Sequence, residues 1–258
     1  MHDSTLPLGR RRTIADRLSG GQSVVASDLA REFGVSEDAI RRDLRALAAD
    51  GLCTRVYGGA LPLSPANGPV TERQTENTAA KRALAIIAAG LIRPDSTIFL
   101  DTGSTVALLA EVLPPGLRVV TNSLSAANAL SRRSDLALFL VGGAFDPETG
   151  GCTDAQALAA LERYRIDLCF LGACALSPAE GIAGFDMADV EMKRALLDRS
   201  AETALMMTAD KLGTTAPYPI APLARLTHLV ISAGTDDTTR AALAKAGPQI
   251  HLAKDAAQ

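Results

Sequence analysis

The 258-residue sequence contains no tryptophan, and only 3% of its residues are aromatic. A folded core must therefore be built from aliphatic side chains, which are plentiful because hydrophobic residues make up 47% of the chain. No apolar run approaches the 18 or more residues of a membrane span, and the first residues lack the hydrophobic segment of a secretory signal. These absences predict a folded cytoplasmic protein with no membrane partner.

Metal-binding residue types are also scarce. The four cysteines include no pair with Cys-x-x-Cys spacing, and the three histidines are scattered along the chain. A structural zinc site needs such ligands at close, regular spacing. The sequence therefore predicts neither a metal site nor a bound cofactor.

Positive charge is low overall but unevenly distributed. The net charge is −3, whereas nucleic-acid-binding domains are usually basic. Residues 1–57 contain nine arginines, no lysine and eight acidic residues, and the remainder contains 17 basic and 21 acidic residues. The excess of basic residues lies at the N-terminus, which is the direction expected if that part binds DNA.

The composition changes between residues 58 and 70, a segment with three glycines, three prolines and no charged residue. Such a composition is typical of a linker. The sequence therefore predicts an N-terminal domain at residues 1–57, a linker at 58–70 that allows relative motion, and a second domain at 71–258.

The second domain alternates short apolar segments with helical patterns, which is typical of a parallel sheet covered by helices on both faces. The predicted strands are Thr97–Asp101, Leu117–Thr121, Leu136–Val141, Asp167–Gly172, Thr203–Thr208, Thr227–Ser232 and Gln249–Leu252. The predicted helices are Thr78–Ile92, Ser104–Leu113, Ser123–Arg133, Asp154–Tyr164, Ala188–Ser200 and Asp237–Ala246. The fold class is therefore α/β.

The N-terminal domain has the pattern of three helices separated by glycines. Gly20 and Gly21 end the first helix. Ser27 is the expected cap of a short second helix, Gly34 allows a tight turn after it, and Ser36 caps the third. With the strand that follows as a wing, this order predicts a winged helix-turn-helix.

The third helix combines an apolar stripe with an arginine-rich face. Ile40, Leu44 and Leu47 recur at helical spacing and predict the buried side. Three arginines lie off that stripe: Arg41, Arg42 and Arg45. Arginine suits both guanine edges and phosphates, and a solvated face is the alternative. The turn, the serine cap and the wing occur together, which favours a helix that reads DNA.

This N-terminal stretch is similar to the DNA-binding signature of the DeoR family of bacterial transcription regulators. The family carries V-S-x-x-T-I-R-R-D-L and then R-V-H-G-G-A, matched here at residues 35–44 and 55–60. Ala39 replaces the usual threonine, and Tyr57 replaces the usual histidine. The expected DNA contacts are Ser27, Ser36, Glu37, Asp38, Arg41, Arg42, Arg45, Arg55 and Tyr57.

The resemblance covers nearly the whole chain. Further family motifs follow in order: I-F-L-D-T-G-S-T at 98–105, V-V-T-N-S at 119–123, L-V-G-G at 140–143, D-V-E-M-K-R at 189–194 and A-D-K-L-G at 209–213. The last departs from the family's D-x-S-K-F-G because Leu212 replaces phenylalanine and the serine is absent. The family's second domain looks like the sugar-phosphate isomerase and CoA-transferase fold, so the resemblance implies a Rossmann-like sensor domain.

The segment Asp101–Thr105 can be interpreted without the family. A buried strand ends at Asp101, Gly103 lets the backbone turn, and Ser104 begins a helix. Unpaired N–H groups at that helix start, together with two hydroxyls, predict an anion site that would hold the phosphate of a sugar. An ordinary strand-to-helix turn is the alternative. Asp101 itself is expected to accept sugar hydroxyls or to hold a lysine in place.

Other residues are expected to join the site because ligands in such sheets bind at the carboxyl ends of strands. Two further strand ends share that edge, Thr121 with Asn122 and Gly142 with Gly143. The resemblance also implies that Lys193 pairs with a phosphate or an acidic sugar. The full expected effector-binding set is Arg73, Lys81, Asp101, Gly103, Ser104, Thr105, Thr121, Asn122, Gly142, Gly143, Asp186, Glu191, Lys193 and Lys211.

The sequence thus predicts a non-enzymatic transcription regulator, a repressor of carbohydrate metabolism genes that binds double-stranded operator DNA and responds to a sugar phosphate or related metabolite. We expect a homodimer or homotetramer, because one short helix reads too little sequence. The alternative is a sugar-phosphate isomerase-like enzyme with an added DNA-binding head, in which Asp101, Glu191 and Lys211 supply acid–base groups. The resemblance to regulators along the full length favours the first interpretation.

Overall fold

A computed structural model describes residues 7–20, 22–64, 66 and 69–254. Residue 21, predicted to help end the first helix, and linker residues 65, 67 and 68 lie outside the described residues. The N-terminal elements are α1 (Pro7–Ser19), β1 (Val24–Val25), α2 (Ala26–Phe33), α3 (Glu37–Ala49), β2 (Cys53–Val56) and β3 (Gly59–Pro62).

These elements form a winged helix-turn-helix. Gly34 takes the left-handed conformation (φ 65°) that the turn between α2 and α3 requires. The Ser36 hydroxyl caps α3 by accepting a hydrogen bond from the Ala39 N–H at 3.3 Å. The three strands pair antiparallel in the order β1-β3-β2 and form the wing. Ile40, Leu44 and Leu47 pack into the core of this domain, as predicted.

Two details differ from the sequence prediction. Ser27 does not cap α2, because the helix already begins at Ala26 and Val25 occupies the cap position without a side-chain hydrogen bond. The wing also extends beyond residue 57, since β3 supplies its middle strand. The glycine- and proline-containing composition of that strand concealed its extended pairing.

The elements after residue 69 alternate as predicted, with several additions. The helices are α4 (Val70–Thr75), α5 (Thr78–Ala89), α6 (Ser104–Ala110), α7 (Leu124–Leu130), α8 (Ala155–Ala160), α9 (Met187–Arg199) and α10 (Asp237–Lys245). The strands are β4 (Thr97–Leu100), β5 (Arg118–Thr121), β6 (Ala137–Leu140), β7 (Phe145–Asp146), β8 (Gly151–Cys152), β9 (Ile166–Leu171), β10 (Ala175–Ser177), β11 (Gly181–Gly184), β12 (Ser200–Met207), β13 (Tyr218–Ala221), β14 (His228–Ser232) and β15 (Gln249–Ala253).

Seven of these strands form one parallel sheet in the order β15-β14-β12-β9-β4-β5-β6. Each corresponds to a predicted strand. Helices α5, α6 and α7 cover one face, and α8, α9 and α10 cover the other. Alternate residues of β4 serve the two cores: Phe99 faces one, and Ile98 and Leu100 face the other. Because both faces are covered, the strands are apolar throughout.

Two smaller antiparallel pairings were not predicted. Strands β10, β11 and β13 form a three-stranded sheet, and β7 pairs with β8. These strands are two to four residues long. Together they place loops beside the carboxyl ends of the main sheet, where the candidate site lies.

The described part of the predicted linker is docked on the sensor domain. The Thr215 N–H donates to the Pro62 carbonyl at 3.1 Å, and the Ser64 N–H donates to the Thr215 carbonyl at 3.0 Å. The Ser64 hydroxyl donates to the Cys174 carbonyl. Ser64 and Thr215 are both buried. The composition predicts a linker that allows relative motion, whereas these contacts hold its described residues against the sensor domain.

A buried ion pair joins α1 to α3 inside the DNA-binding domain. Arg10 Nε lies 2.6 Å from Asp43 Oδ2, and both residues are buried. Arg11 Nε lies 3.6 Å from the other oxygen of the same carboxylate. Asp43 follows Arg42 directly on α3, so this pair fixes how the arginine-bearing helix sits on its neighbour.

We expect Asp43→Ala to destabilise the N-terminal domain by about 3–5 kcal/mol, because it removes the carboxylate beside the buried Arg10 guanidinium. Hydrogen exchange of the α1 and α3 amides in the full chain measures the loss. The double variant Arg10→Met/Asp43→Leu, which removes both charges, should recover most of the protection. Equal losses in the two variants would contradict this account.

Candidate functional site

A cavity of about 230 Å³ opens at the carboxyl ends of β4, β9 and β12. The turn after β4, the loop after β9, the start of α9 and the Lys211 loop after β12 form its walls. Its lining residues are Ala66, Arg73, Thr102, Gly103, Ser104, Thr105, Val106, Glu148, Thr149, Leu171, Gly172, Ala173, Cys174, Phe185, Asp186, Asp189, Lys193, Met206 and Lys211. Its position is where parallel sheets bind ligands.

A buried ionic cluster lies at the base of the cavity. Lys193 Nζ contacts Asp189 Oδ1 and lies 3.0 Å from Asp101 Oδ2. The Thr102 hydroxyl is 3.3 Å from the same nitrogen and 3.2 Å from Asp189 Oδ1. The Gly172 N–H donates to Asp101 Oδ2 at 2.9 Å. Lys193 is therefore paired within the protein, whereas the sequence interpretation expected it to pair with a phosphate or an acidic sugar of the ligand.

The charges in this cluster depend on one another. Burial raises the pKa of Asp101, and the neighbouring Lys193 ammonium opposes that rise without cancelling it. Burial alone would lower the pKa of Lys193, but the carboxylates of Asp101 and Asp189 outweigh it and raise the pKa above its ordinary value. Lys193 is thus held as an ammonium, and Asp101 acts as its buried partner.

Lys211 and Lys81 lie on the opposite side of the cavity, and their pKa values are lowered, whereas that of Lys193 is raised. Lys211 is buried, and burial lowers the pKa of its ammonium. Among the described residues, neither Lys211 nor Lys81 has a carboxylate at ion-pairing distance. Lys81 donates instead to the Arg73 carbonyl, and burial together with the nearby Lys211 charge lowers its pKa to about 8. This side of the cavity therefore has positive charge that the nearby Glu76 and Asp210 carboxylates offset only in part.

Two buried hydroxyl groups lie on residues that line the cavity. Among the described residues, the buried hydroxyl oxygens of Ser104 and Thr149 have no hydrogen-bond partner, although burying such a group normally requires one. Both residues line the cavity. Gly103, just before Ser104, has φ 136°, a conformation that favours glycine. The cavity thus offers unused hydrogen-bonding capacity beside a positively charged wall.

The structure brings together half of the predicted effector residues. Those that line the cavity are Arg73, Gly103, Ser104, Thr105, Asp186, Lys193 and Lys211. Lys81 lies in a small adjoining recess that shares Arg73 and Lys211 with it. Asp101 lies beneath the cavity and holds Lys193, one of the two roles predicted for it.

Five predicted residues lie outside the cavity. Glu191 is exposed and pairs with Arg194 at 2.6 Å, because it points away from the side of α9 that carries Lys193. The others lie at the ends of β5 and β6, which reach the predicted edge but farther along the sheet: Thr121, Asn122, Gly142 and Gly143. Thr121 and Asn122 instead make hydrogen bonds to the main chain.

Sequence reasoning missed several cavity residues. Asp189 precedes Lys193 by one helical turn, a spacing that could have indicated the pair. Thr102 lies inside the motif already singled out. By contrast, Glu148 and Thr149 come from the unpredicted β7–β8 hairpin, and no local pattern marks Ala66 as part of the site.

The arginine face of α3 is exposed. Arg41 makes ion pairs with Glu37 and Asp38, at 2.8 and 3.1 Å. Arg42 and Arg45 donate to main-chain carbonyls one turn earlier on the same helix. These side chains are held by local contacts that phosphate or base edges can replace.

The tip of the wing adds a second exposed feature. Tyr57 lies in the turn between β2 and β3 and is fully exposed. Arg55 lies on β2, opposite Ala60 of the middle strand, and is also exposed. An exposed helix face with an adjacent wing is the surface that winged helix-turn-helix proteins present to DNA.

Family models match both domains. The DeoR-like helix-turn-helix domain matches residues 10–65, and the DeoR C terminal sensor domain matches residues 76–233. The chain belongs to the DeoR family. It is therefore a DNA-binding transcription regulator with a sensor domain.

Curated relatives of this DeoR-family regulator include named repressors. The glycerol-3-phosphate regulon repressor of Escherichia coli K12 is 34% identical, over 75% of this chain and 78% of that protein. The putative aga operon transcriptional repressor of Escherichia coli O157:H7 is 29% identical, over 94% and 93%. The regulator IolR of Bacillus subtilis is 27% identical, over 90% and 94%.

One of the solved structures that resemble the regulator is an isomerase. Ribose 5-phosphate isomerase A from Methanocaldococcus jannaschii is 18% identical, with a TM-score of 0.40, over 53% of this chain and 55% of that chain. At that score the likeness supports no conclusion about function.

The three residues predicted as acid–base groups of an isomerase do not converge on one point: Asp101 is enclosed with Lys193, and Glu191 points outward. No helix in the described part of the regulator is long and apolar enough to cross a membrane.

We expect the triple variant Arg41→Ala/Arg42→Ala/Arg45→Ala to lose operator binding. An arginine that reads a base contributes roughly 1–3 kcal/mol and sets specificity at one position, while one that contacts phosphate weakens binding to all sequences and reduces the salt dependence. Gel shifts at several salt concentrations, on DNA selected from a random pool by the parent, separate the two. Arg240→Ala on α10 is the matched control, and unchanged affinity in the triple variant would contradict the assignment.

The lowered pKa of Lys81 predicts a pH-dependent stability. Between pH 8 and its ordinary value of 10.5 the unfolded chain holds this proton and the folded chain does not, so parent stability rises with pH across that window. The free energy of unfolding of Lys81→Met, minus that of the parent, should therefore fall by up to about 3 kcal/mol from pH 7 to pH 10.5.

Urea unfolding of parent and variant at pH 7, 9 and 10.5 measures this difference. Lys245→Met, which removes an exposed lysine from α10, should show no such trend. A stability difference between Lys81→Met and parent that stays constant with pH would show that Lys81 keeps its ordinary pKa.

Proposed function

We propose that this regulator is a repressor of carbohydrate metabolism genes whose affinity for operator DNA is set by a sugar phosphate bound in the cavity. The observation that carries the proposal is the contrast between two buried lysines. Lys193 is neutralised by two carboxylates, whereas Lys211 has no ion-pairing carboxylate among the described residues. A buried ammonium without an ion-pairing carboxylate is costly unless an anion joins it.

The remaining groups suit the sugar part of such a ligand. Ser104 and Thr149 offer hydroxyls that have no partner among the described residues, and Asp186 and Glu148 offer carboxylate oxygens that accept from sugar hydroxyls. The cavity volume of about 230 Å³ suits a small metabolite. The phosphate belongs between the Ser104 turn and the wall formed by Arg73 and Lys211. The names of the relatives, which include a glycerol-3-phosphate regulon repressor, support a ligand of this class.

Operator binding requires two copies of the chain in this proposal. One α3 helix contacts only a few base pairs, so two helix-turn-helix domains related by two-fold symmetry read paired half-sites. The ligand changes DNA affinity by favouring one arrangement of those domains over another.

A thermal-shift panel of sugar phosphates, each beside its unphosphorylated sugar, tests the ligand class. A phosphorylated ligand at 100 times its Kd should stabilise the parent by about 2.7 kcal/mol, and its unphosphorylated sugar should not. The same compound should change operator affinity in a gel shift. Lys211→Met should abolish the stabilisation, whereas the surface control Lys245→Met should retain it.

Two results would contradict the proposal. If the unphosphorylated sugar stabilised the parent as much as its phosphate, the cationic wall would not select an anion. If the phosphorylated ligand bound but left operator affinity unchanged, the cavity would not control DNA binding.

A further inference from the structure

The segment between the wing and the sensor domain contacts both functional regions. We call its described residues, 62–64 and 66, the connector. It forms a parallel bridge in which Leu63 pairs with Thr215, flanked by hydrogen bonds from Thr215 to Pro62 and from Ser64 to Thr215. The connector is thus joined to the sensor domain through its main chain.

On the sensor side, these contacts reach the cavity wall within a few residues. Thr215 follows Lys211 in the same loop, where the Thr214 hydroxyl donates to the Lys211 carbonyl at 2.7 Å. The Ser64 hydroxyl donates to the Cys174 carbonyl and accepts from the Ala66 N–H at 3.1 Å. Cys174, Ala66 and Lys211 all line the cavity. A ligand that shifts Lys211 therefore acts on the loop that holds the connector.

On the DNA side, the connector continues directly from the middle strand of the wing. Pro62 is the last residue of β3, which pairs with β1 on one side and β2 on the other. Ala60 of β3 lies opposite Arg55 of β2. A displacement of Pro62 along the strand therefore moves the centre of the wing, including the pairing that positions Arg55.

Close packing leaves little room for these parts to move independently. Ser64, Ala66, Thr214 and Thr215 are each less than 5% exposed. Close-packed segments tend to shift together between discrete arrangements rather than deform by degrees. The connector therefore has the properties of a rigid link and not of a flexible tether.

We propose that the connector transmits occupancy of the cavity to the wing, so that ligand contact with the Lys211 loop moves β3 and changes DNA affinity. This inference rests on the proposed function, because it takes the cavity ligand as the signal. The coupling is reciprocal: DNA bound at the wing alters the connector's bridge to Thr215.

Hydrogen exchange with operator DNA tests the link without any ligand. The informative amides are those of Ser64 and Thr215, which donate the two bridge hydrogen bonds. Saturating operator DNA should slow their exchange several-fold, while the Ala233 amide, bonded to Ala253 at the far edge of the sheet, should not change. Unchanged exchange at both bridge amides would overturn the proposal.

A reversible crosslink tests transmission of the signal. Paired strands lie about 4.7–4.9 Å apart, within the Cα range of a disulfide, so Leu63→Cys/Thr215→Cys should crosslink on oxidation. Peptide mass analysis verifies the pairing. With the sugar phosphate found in the panel, the reduced and the oxidised forms should both show a change in operator affinity of about 5–150-fold, because a covalent bond across a link that already moves as one body leaves its motion intact.

The same variant supplies its own folding control. Calorimetry should give equal ligand affinity in the oxidised and reduced forms, and Ser64→Ala, which keeps the main-chain bridge, should reduce the response without abolishing it. Loss of the response on oxidation, or a full response in Ser64→Ala, would overturn the link. If no sugar phosphate binds the parent, the proposed ligand class is wrong, while the exchange experiment with DNA still decides the role of the connector.

Discussion

The ammonium of Lys193 joins three parts of the sensor domain that are far apart in sequence. It lies between Asp101, at the end of β4, and Asp189, on its own helix, and Thr102 and Gly172 complete the cluster. The cluster therefore fixes where α9 begins relative to the carboxyl ends of β4 and β9. Gly172 is required for this arrangement, because a Cβ there would lie 2.0 Å from the Thr102 carbonyl oxygen. The base of the cavity is set by this constraint.

The two ends of the cavity consequently differ in their electrostatics. The base contains an ammonium whose charge is satisfied inside the protein, and such a group positions the backbone but has little attraction left for a ligand. Burial lowers the pKa values of Lys211 and Lys81 in the wall, and the nearby carboxylates of Glu76 and Asp210 offset it only in part. Residues of the same type thus serve as scaffold at one end and as a ligand-attracting surface at the other.

Most of the large sheet could be predicted from the sequence because its strands are buried on both faces and therefore appear as apolar runs. The helix-turn-helix could be predicted equally well, because its glycine turn, serine cap and arginines occur at fixed spacing. The candidate site could be predicted less well. The motif around Lys193 is the same whether its ammonium pairs with carboxylates of the protein or is available to a ligand, and only the contact with Asp101 decides between these states. The β7–β8 hairpin and the β11 strand Gly181–Gly184 were missed because they are very short or lack β-branched periodicity.

The same limit applies to the connector. The segment 58–70, which includes the connector, has the glycines and prolines of a flexible linker. The connector's main-chain hydrogen bonds are nevertheless made with residue 215, far along the chain, and no local pattern records such a partner. Composition describes which conformations a segment can adopt, whereas the docked structure depends on the surface it meets.

Ala66 lines the cavity, and the Ser64 hydroxyl donates to Cys174 in the cavity wall. Part of the candidate binding site therefore comes from the segment between the two domains and not from the sensor domain alone. Exchange of sensor domains between regulators of this kind, in evolution or in chimera design, therefore preserves the site only when the crossover point lies upstream of residue 62. The composition of the glycine- and proline-rich segment suggests that recombination within it would do no damage. Such a crossover would instead combine Ser64 and Ala66 of one parent with the remaining cavity residues of the other.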